Sequence, residues 1–396
     1  MRVVLLVAAA SCACLLLAGG ALAARPFKLA GSGERPNVAV DAAGVGHFVW
    51  EAADAAGDLQ THYCRVARRA RRCTGKQVLP IPRQAGRTFS SLTGAFVFAP
   101  GGGRVVVATY RNGLFARPDG NGDRALFVFT STDGGRTFGP PALVGTQAPS
   151  GDAILGPGDS VSVASNAETG GLFFQSAPVG GFTSTIANVG DAVSQWYDGS
   201  IALLTGAVPL IALDDLESIF YRRYSGSGDL NDPASWTPTT RLGAGTDPRL
   251  AGGPAGVYLM YRQGPATKKR YVVRRYARGG FGRATALSET GDPIFSDFSQ
   301  DTGGRLHAVW LSGGRSLVNR ASDATTFWGP ARTIVDSSVA MFDIEIAAGA
   351  DGTGFAVWRG GGIRAVALAS ACSNRIAGTR RPDTLRGTGR GDHLLG

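Results

Sequence analysis

The chain has 396 residues, of which 44% are apolar and 18% charged, with 58 glycines and 20 prolines. It is too apolar for a disordered polymer, and its glycines follow no three-residue period, which excludes collagen. The formal charge of +10 comes from 36 arginines and 4 lysines against 30 acids. It is concentrated in the Arg-rich stretch Cys64–Lys76 and in the tail from Ala371 onward, with Arg2 a further contributor. The rest of the chain is neutral, so the continuous basic face of a nucleic-acid binder is absent and no specific nucleic acid is expected as a partner.

The N-terminus sets the compartment. Met1-Arg2 precedes an apolar run from Val3 to Leu17, and Ala21-Leu22-Ala23 has the small residues of a secretory cleavage site. Residues 1–23 are expected to be a signal peptide, and the mature protein secreted and extracellular. No other segment has 18 uninterrupted apolar residues, so no transmembrane segment is expected after cleavage. Outside the cytosol a disulfide persists. Cys64 and Cys73 bracket Arg65–Arg72, a spacing suited to bridging two arms of a hairpin, and Cys372 is left over.

Short apolar strands recur along the chain. They include His47–Trp50, Val106–Tyr110, Leu172–Phe174, Leu210–Leu213, Gly256–Tyr261, Leu306–Trp310 and Gly354–Trp358. The last three end at Tyr261, Trp310 and Trp358, spaced by 49 and 48 residues. A second pattern lies downstream of each strand: a polar turn, then an aromatic, at Phe138, Phe182, Trp236, Phe281 and Phe327-Trp328. The Cys64–Cys73 hairpin occupies that slot in the first repeat. Two interleaved patterns at one period mark a repeat architecture, and four short strands per repeat make a β-propeller blade. The fold expected is therefore all-β: a propeller over residues 24–370 with about seven four-stranded blades, six being the alternative. The last repeat lacks an outer strand, and Pro26–Leu29 can supply it, closing the ring and covering both sheet edges.

One motif is more specific than the period. Ser131-Thr132-Asp133-Gly134-Gly135-Arg136-Thr137-Phe138 resembles the Asp box, S-x-D-x-G-x-T-W/F, of sialidases and related propellers. Its physical content is a tight hairpin: Ser131 and Asp133 bind backbone amides, Gly135 takes positive φ, and Phe138 packs beneath. Thr137 completes the pattern. Degenerate copies are Ser322–Phe327 and, more loosely, Ser227-Gly228-Asp229 with Trp236. The resemblance implies a turn on the outer part of a blade, so Asp133 is expected to be structural. It also implies, for an enzyme, a Tyr nucleophile beside a Glu, an Asp acid/base and three arginines gripping a carboxylate. The early arginine motif of that family is not matched by Leu79-Pro80-Ile81-Pro82-Arg83. Glu217 and Tyr221 would lie roughly 13 Å apart along a strand, too far to bond. The glutamates are expected at strand ends and turns, and the catalytic residues stay unknown.

Other groups point to structure. Asp214-Asp215-Leu216-Glu217 is expected to be a polar turn, and His47 and His307 hold equivalent, structural positions. The tail, residues 371–396, differs: Gly378, Gly387 and Gly396 are nine apart, as are Asp383 and Asp392. It resembles hemolysin-type calcium-binding repeats, with Thr379 and Thr388 replacing a glycine of that pattern. The resemblance implies Gly378, Asp383, Gly387 and Asp392 as a weak calcium site, calcium being the only cofactor expected. The function expected is a monomeric binding or scaffold module for extracellular glycans or proteins, with an exo-sialidase-type glycoside hydrolase as the alternative.

Overall fold

The computed structural model describes residues 25–368, apart from 56, 69, 82–93, 117–121, 146–150, 167–171, 184–186, 190–198, 266, 292, 324–326 and 350–353, together with 374–377 and 392–395. Residues 1–23, expected to be a signal peptide, and Cys372 lie outside the described residues.

The apolar runs become the second strand of each blade. His47 to Ala52 in Gly46–Ala53, and all of Pro209–Asp214, are buried on both faces, because each blade is sandwiched between its neighbours. Seven antiparallel sheets result. Their innermost strands, in chain order, are Glu34–Val40, Gly94–Gly101, Asp152–Gly156, Gly199–Leu203, Thr246–Gly253, Ile294–Gln300 and Phe342–Ala348. They define blades 1 to 7, and each packs against the next until blade 7 meets blade 1. Six blades are excluded. Six sheets have four strands, and blade 5 has a fifth because its outer edge is split into two short strands, Gly280–Phe281 and Thr285–Ala286.

Closure follows the sequence expectation. Phe27–Ala30 is the outermost strand of blade 7, antiparallel to Ile363–Leu368 with Phe27 opposite Ala365 and Lys28 opposite Arg364. Phe27 and Leu29 are buried in a core shared by blades 7 and 1, where Phe27 meets Phe355 edge-on at 6.4 Å.

The downstream aromatics bind one blade to the one before it. Phe138 of blade 2 meets Tyr63 of blade 1 at 4.7 Å, Trp236 of blade 4 meets Phe174 of blade 3 at 4.8 Å, and Phe281 of blade 5 meets Tyr221 of blade 4 at 5.1 Å. Trp328 enters the core between blades 5 and 6. Two members of the series depart from it. Phe182 is 57% exposed and Phe327 69% exposed. In blade 3 the segment after Phe182 instead bonds the edge of blade 2, through Thr183 N and Val144 O at 3.0 Å. In blade 1 the slot is filled by the Cys64–Cys73 disulfide, packed into the core shared with blade 7.

Beyond the propeller, Asn374–Ala377 and Asp392–Leu395 pair in parallel, with Asn374 opposite Asp392. The offset is 18 residues, two of the nine-residue periods. No helix among the described residues is long and apolar enough to cross a membrane.

Phe27→Ala should lower the free energy of unfolding by about 3–5 kcal/mol, the usual cost of deleting a buried phenylalanine. Urea unfolding checks it. An unchanged midpoint would mean that the N-terminal strand does not close the ring.

Candidate functional site

The Asp box folds as its residue types require. Asp133 accepts from the amides of Arg136 and Thr137 at 2.8 and 3.0 Å and from the Thr137 hydroxyl at 2.7 Å. Ser131 donates to Asp133 and accepts from Gly135 N at 2.9 Å. These donors hold the Asp133 carboxyl well below the usual carboxylate range. Gly135 sits at φ 74°, and a Cβ there would overlap Tyr63 Oη, 1.8 Å away. Gln77 of blade 1 donates to the carbonyls of Gly135 and Arg136. The whole turn is a clamp on the preceding blade, between the outer two strands of its own. In the copy at Ser322, Asp323 accepts from Phe327 N at 2.9 Å. In blade 4 the turn is rebuilt: Asp232 caps a short 3₁₀ turn, and Asn231 takes both backbone groups of Ser176 in blade 3.

The histidines are structural in the same way. His47 lies 3.2 Å from Asp41, and His307 lies 3.5 Å from Asp301. Each aspartate also binds two amides of its own strand-to-strand turn. Burial lowers the His47 pKa, against the opposing pull of Asp41.

The chemistry gathers instead on the inner strands. The inner edge of each blade faces the central channel, where its outward N–H groups have no strand to pair with. Among the described residues, side chains of blades 1, 3, 4 and 6 repair this across to the next blade. Asn37 accepts from Val97 N at 3.0 Å, Asp152 from Ile201 N at 3.0 Å, Ser200 from Leu250 N at 2.9 Å and Asp297 from Ile346 N at 2.6 Å. Arg249 of blade 5 donates to Ser296 O of blade 6 at 3.1 Å, and Asn37 donates to Glu345 of blade 7 at 3.2 Å. Between blades 2 and 3 the contact is apolar, with Phe96 and Phe98 against the cluster holding Ala153.

This lacing places Asp152, Asp297, Glu345 and Arg249 around the waist of the channel. The three carboxyls are only partly exposed, by way of the narrow channel, and protein surrounds them otherwise. Burial raises all three pKa values. Asp297 is pushed up to about 6 against the opposing amides of Ile346 and Phe298. Glu345 is raised well above its usual range by burial and then by the neighbouring Asp297 carboxylate. Asp152 is raised despite the Ser200 hydroxyl and the Ile201 amide.

Above the waist the channel opens into a mouth of about 780 Å³. Its basic lining is Arg35, Arg249, Arg262 and Lys269, and its acidic lining is Asp214, Asp247, Asp343 and Glu345. Four consecutive blades, 5 to 7 and then 1, shape one side of it with the same device. Each inner strand begins in a bulge whose residue has positive φ: Asp247 at 61°, Phe295 at 44°, Asp343 at 48° and Arg35 at 47°. For a residue with a side chain this conformation costs roughly 1–3 kcal/mol, and bulges re-aim side chains beside sites. Asp247 reaches Arg249 at 3.0 Å and accepts from Tyr271 Oη at 2.8 Å. Asp343 reaches Arg359 at 2.9 Å, and Arg35 lies 3.8 Å from Glu51. Asp214 accepts from Asp247 N at 2.7 Å, joining blades 4 and 5.

The expectation that the glutamates lie at strand ends and turns is corrected for two of them. Glu345 lies mid-strand in the channel and Glu51 is buried against Arg111, because both meet partners contributed by other blades. The first-blade arginine at the mouth is Arg35, with no resemblance to the segment around Arg83, which lies outside the described residues. Glu217 is exposed in its turn while Tyr221 packs on Phe281, so the two do not pair. Of the tail residues, Gly378, Asp383 and Gly387 lie outside the described residues, and only the backbone of Asp392 is described. Among the described residues no group of three or more His, Cys, Asp or Glu could hold a metal.

No family model matches the chain, and no curated protein matches it. Many solved structures share its fold. An ulvan lyase of polysaccharide lyase family PL25 is 10% identical, covering 86% of this chain and 95% of its own, with a TM-score of 0.50. The α-L-arabinofuranosidase Arb93A of Fusarium graminearum is 9% identical over 87% and 98%, with a TM-score of 0.48. The Hadza microbial sialidase Hz136 is 11% identical, with a TM-score of 0.46; 85% of this chain aligns with 65% of that one, just under two thirds of its length. At these identities the likeness is one of fold alone.

The raised waist carboxyls bind protons more tightly in the folded than in the unfolded chain. Their contribution to stability is therefore full at acid pH and declines as pH rises from the unfolded carboxylate range toward the folded value, about 6 for Asp297. Asp297→Asn should remove a loss on the order of 2 kcal/mol between pH 4 and pH 7. Urea midpoints of the two proteins across that range test it, and parallel pH profiles would refute it.

Proposed function

We propose that the protein is a secreted glycan-binding module whose ligand site is the mouth of the propeller. The observation that carries this reading is the burial of Tyr271. The mouth has arginines from two blades, and behind its lining the Tyr271 hydroxyl is bonded to the Asp247 carboxylate, the parts a sialidase-type site would use. Yet Tyr271 is 0% exposed, and burial raises its pKa well above the usual value. Its oxygen cannot reach a substrate carbon. Tyr110, the tyrosine in the described lining, is 4% exposed. The lining sets charged side chains and backbone groups beside apolar residues such as Phe295 and Ile294, which suits recognition more than covalent catalysis.

The alternative, hydrolysis of a sialoside, needs a nucleophile that the described mouth does not present. A second, separate reading concerns the tail: the parallel pairing offset by two nine-residue periods supports a coil of calcium-binding repeats using Asp383 and Asp392.

The test is a glycan array and a fluorogenic sialoside assay on the chain secreted and processed after Ala23, each with calcium and with chelator. The expected result is glycan capture without turnover. Lys269→Ala should weaken capture about tenfold, equivalent to about 1.4 kcal/mol. Turnover, or failure to capture any glycan, would overturn the reading.

A further inference from the structure

Phe295 is an anomaly among the four bulge residues that share a positive φ. Arg35, Asp247 and Asp343 each meet an oppositely charged group, so interactions within the protein account for their strained backbone. Phe295 has none of these. It is 41% exposed, and its aromatic neighbour is Phe342, itself 38% exposed, edge-to-face at 5.7 Å. A glycine would adopt the same φ without strain and without showing an apolar ring to water. The fold therefore keeps a benzyl group at the mouth at a double cost, backbone strain and solvent exposure.

Its neighbourhood identifies what offsets that cost. Phe342 carries the Arg359 guanidinium over its ring, 5.2 Å from the centroid, and Arg359 is held by Asp343. The two rings thus form an apolar lip beside a cavity that also carries charged side chains. The cavity carries four basic side chains and four carboxyls. A lining of that kind offers donors and acceptors side by side, the pattern that hydroxyl groups satisfy. An occupant with one apolar C–H face and an equatorial belt of hydroxyls meets both demands.

We propose that Phe295, backed by Phe342, is the stacking platform for a neutral hexopyranose unit of the bound glycan, and that it sets the specificity of the mouth. This rests on the glycan-binding reading above and adds to it the sugar class and the residue that selects it.

The experiment is calorimetric titration of the full mature chain with a panel of neutral hexose oligosaccharides and their uronic-acid and sialylated counterparts. It uses the wild type, Phe295→Gly and Phe295→Leu. Wild type should prefer neutral oligosaccharides. Phe295→Gly should bind them at least tenfold more weakly while its thermal midpoint stays level or rises, because glycine relieves the strained φ. A merely structural phenylalanine would give the opposite stability change. Phe295→Leu keeps apolar bulk without the π-face and should lose affinity similarly, which decides the matter if the glycine variant does not fold. Equal affinity in the variants, or a wild type that takes only acidic glycans, would overturn the stacking platform while leaving glycan binding intact. A wild type that binds no glycan at all would overturn both.

Discussion

A propeller's inner strands have an edge with no neighbour. In an ordinary sheet that edge faces solvent or is covered by another strand. Here seven such edges converge on one channel, and their amides must find acceptors there. The lacing of Asn37, Asp152, Ser200 and Asp297 to the next blade's backbone is the solution. It fixes the stagger of successive inner strands, and with it the position of every residue at the mouth. It also explains why carboxyls sit where burial opposes their ionisation. An Asp there is retained as an amide acceptor, and a raised pKa is the consequence of that placement.

The outer parts of the blades are tied by different means. Aromatics, one disulfide and the Asp-box turn each reach back to the preceding blade, so the ring is secured at two radii. The inner radius is polar and exacting in geometry, while the outer is apolar and tolerant. This division leaves the mouth side of the inner strands open to variation. Bulges in four adjacent blades use that freedom to display Asp247, Phe295, Asp343 and Arg35. The cavity is therefore built on the most constrained part of the molecule, where side chains can be held in strained poses.

The fold was legible in the sequence because its signals are local and repeated. Runs such as Gly354–Trp358, the aromatics after each turn and the Ser131–Phe138 box depend on neighbours within a few residues. Even closure could be read, since Phe27 and Leu29 match the other outer strands in pattern. The site was not legible for the converse reason. Asn37, Asp152, Ser200, Asp297 and Glu345 are single polar residues 48 to 115 positions apart, and each is meaningful only through an amide on another blade. Their common register beside the apolar second strand, as in Asp297 opposite Val309 and Glu345 opposite Val357, was the one available signal. The unequal spacing of blades 2 to 4 obscured it. Tyr271 and Asp247 likewise meet only because a bulge turns Asp247 back toward its own blade.

Native-state hydrogen exchange of the amides of Val97, Ile201, Leu250 and Ile346 tests the lacing most directly. Each belongs to an innermost strand and points away from its own sheet. The account predicts that they exchange only with global unfolding, as slowly as amides within the second strands. It also predicts that Asp152→Ala frees Ile201 selectively. Exchange of all four at the rate of solvent-exposed edge amides would contradict it, and the mouth would then need another explanation for its geometry.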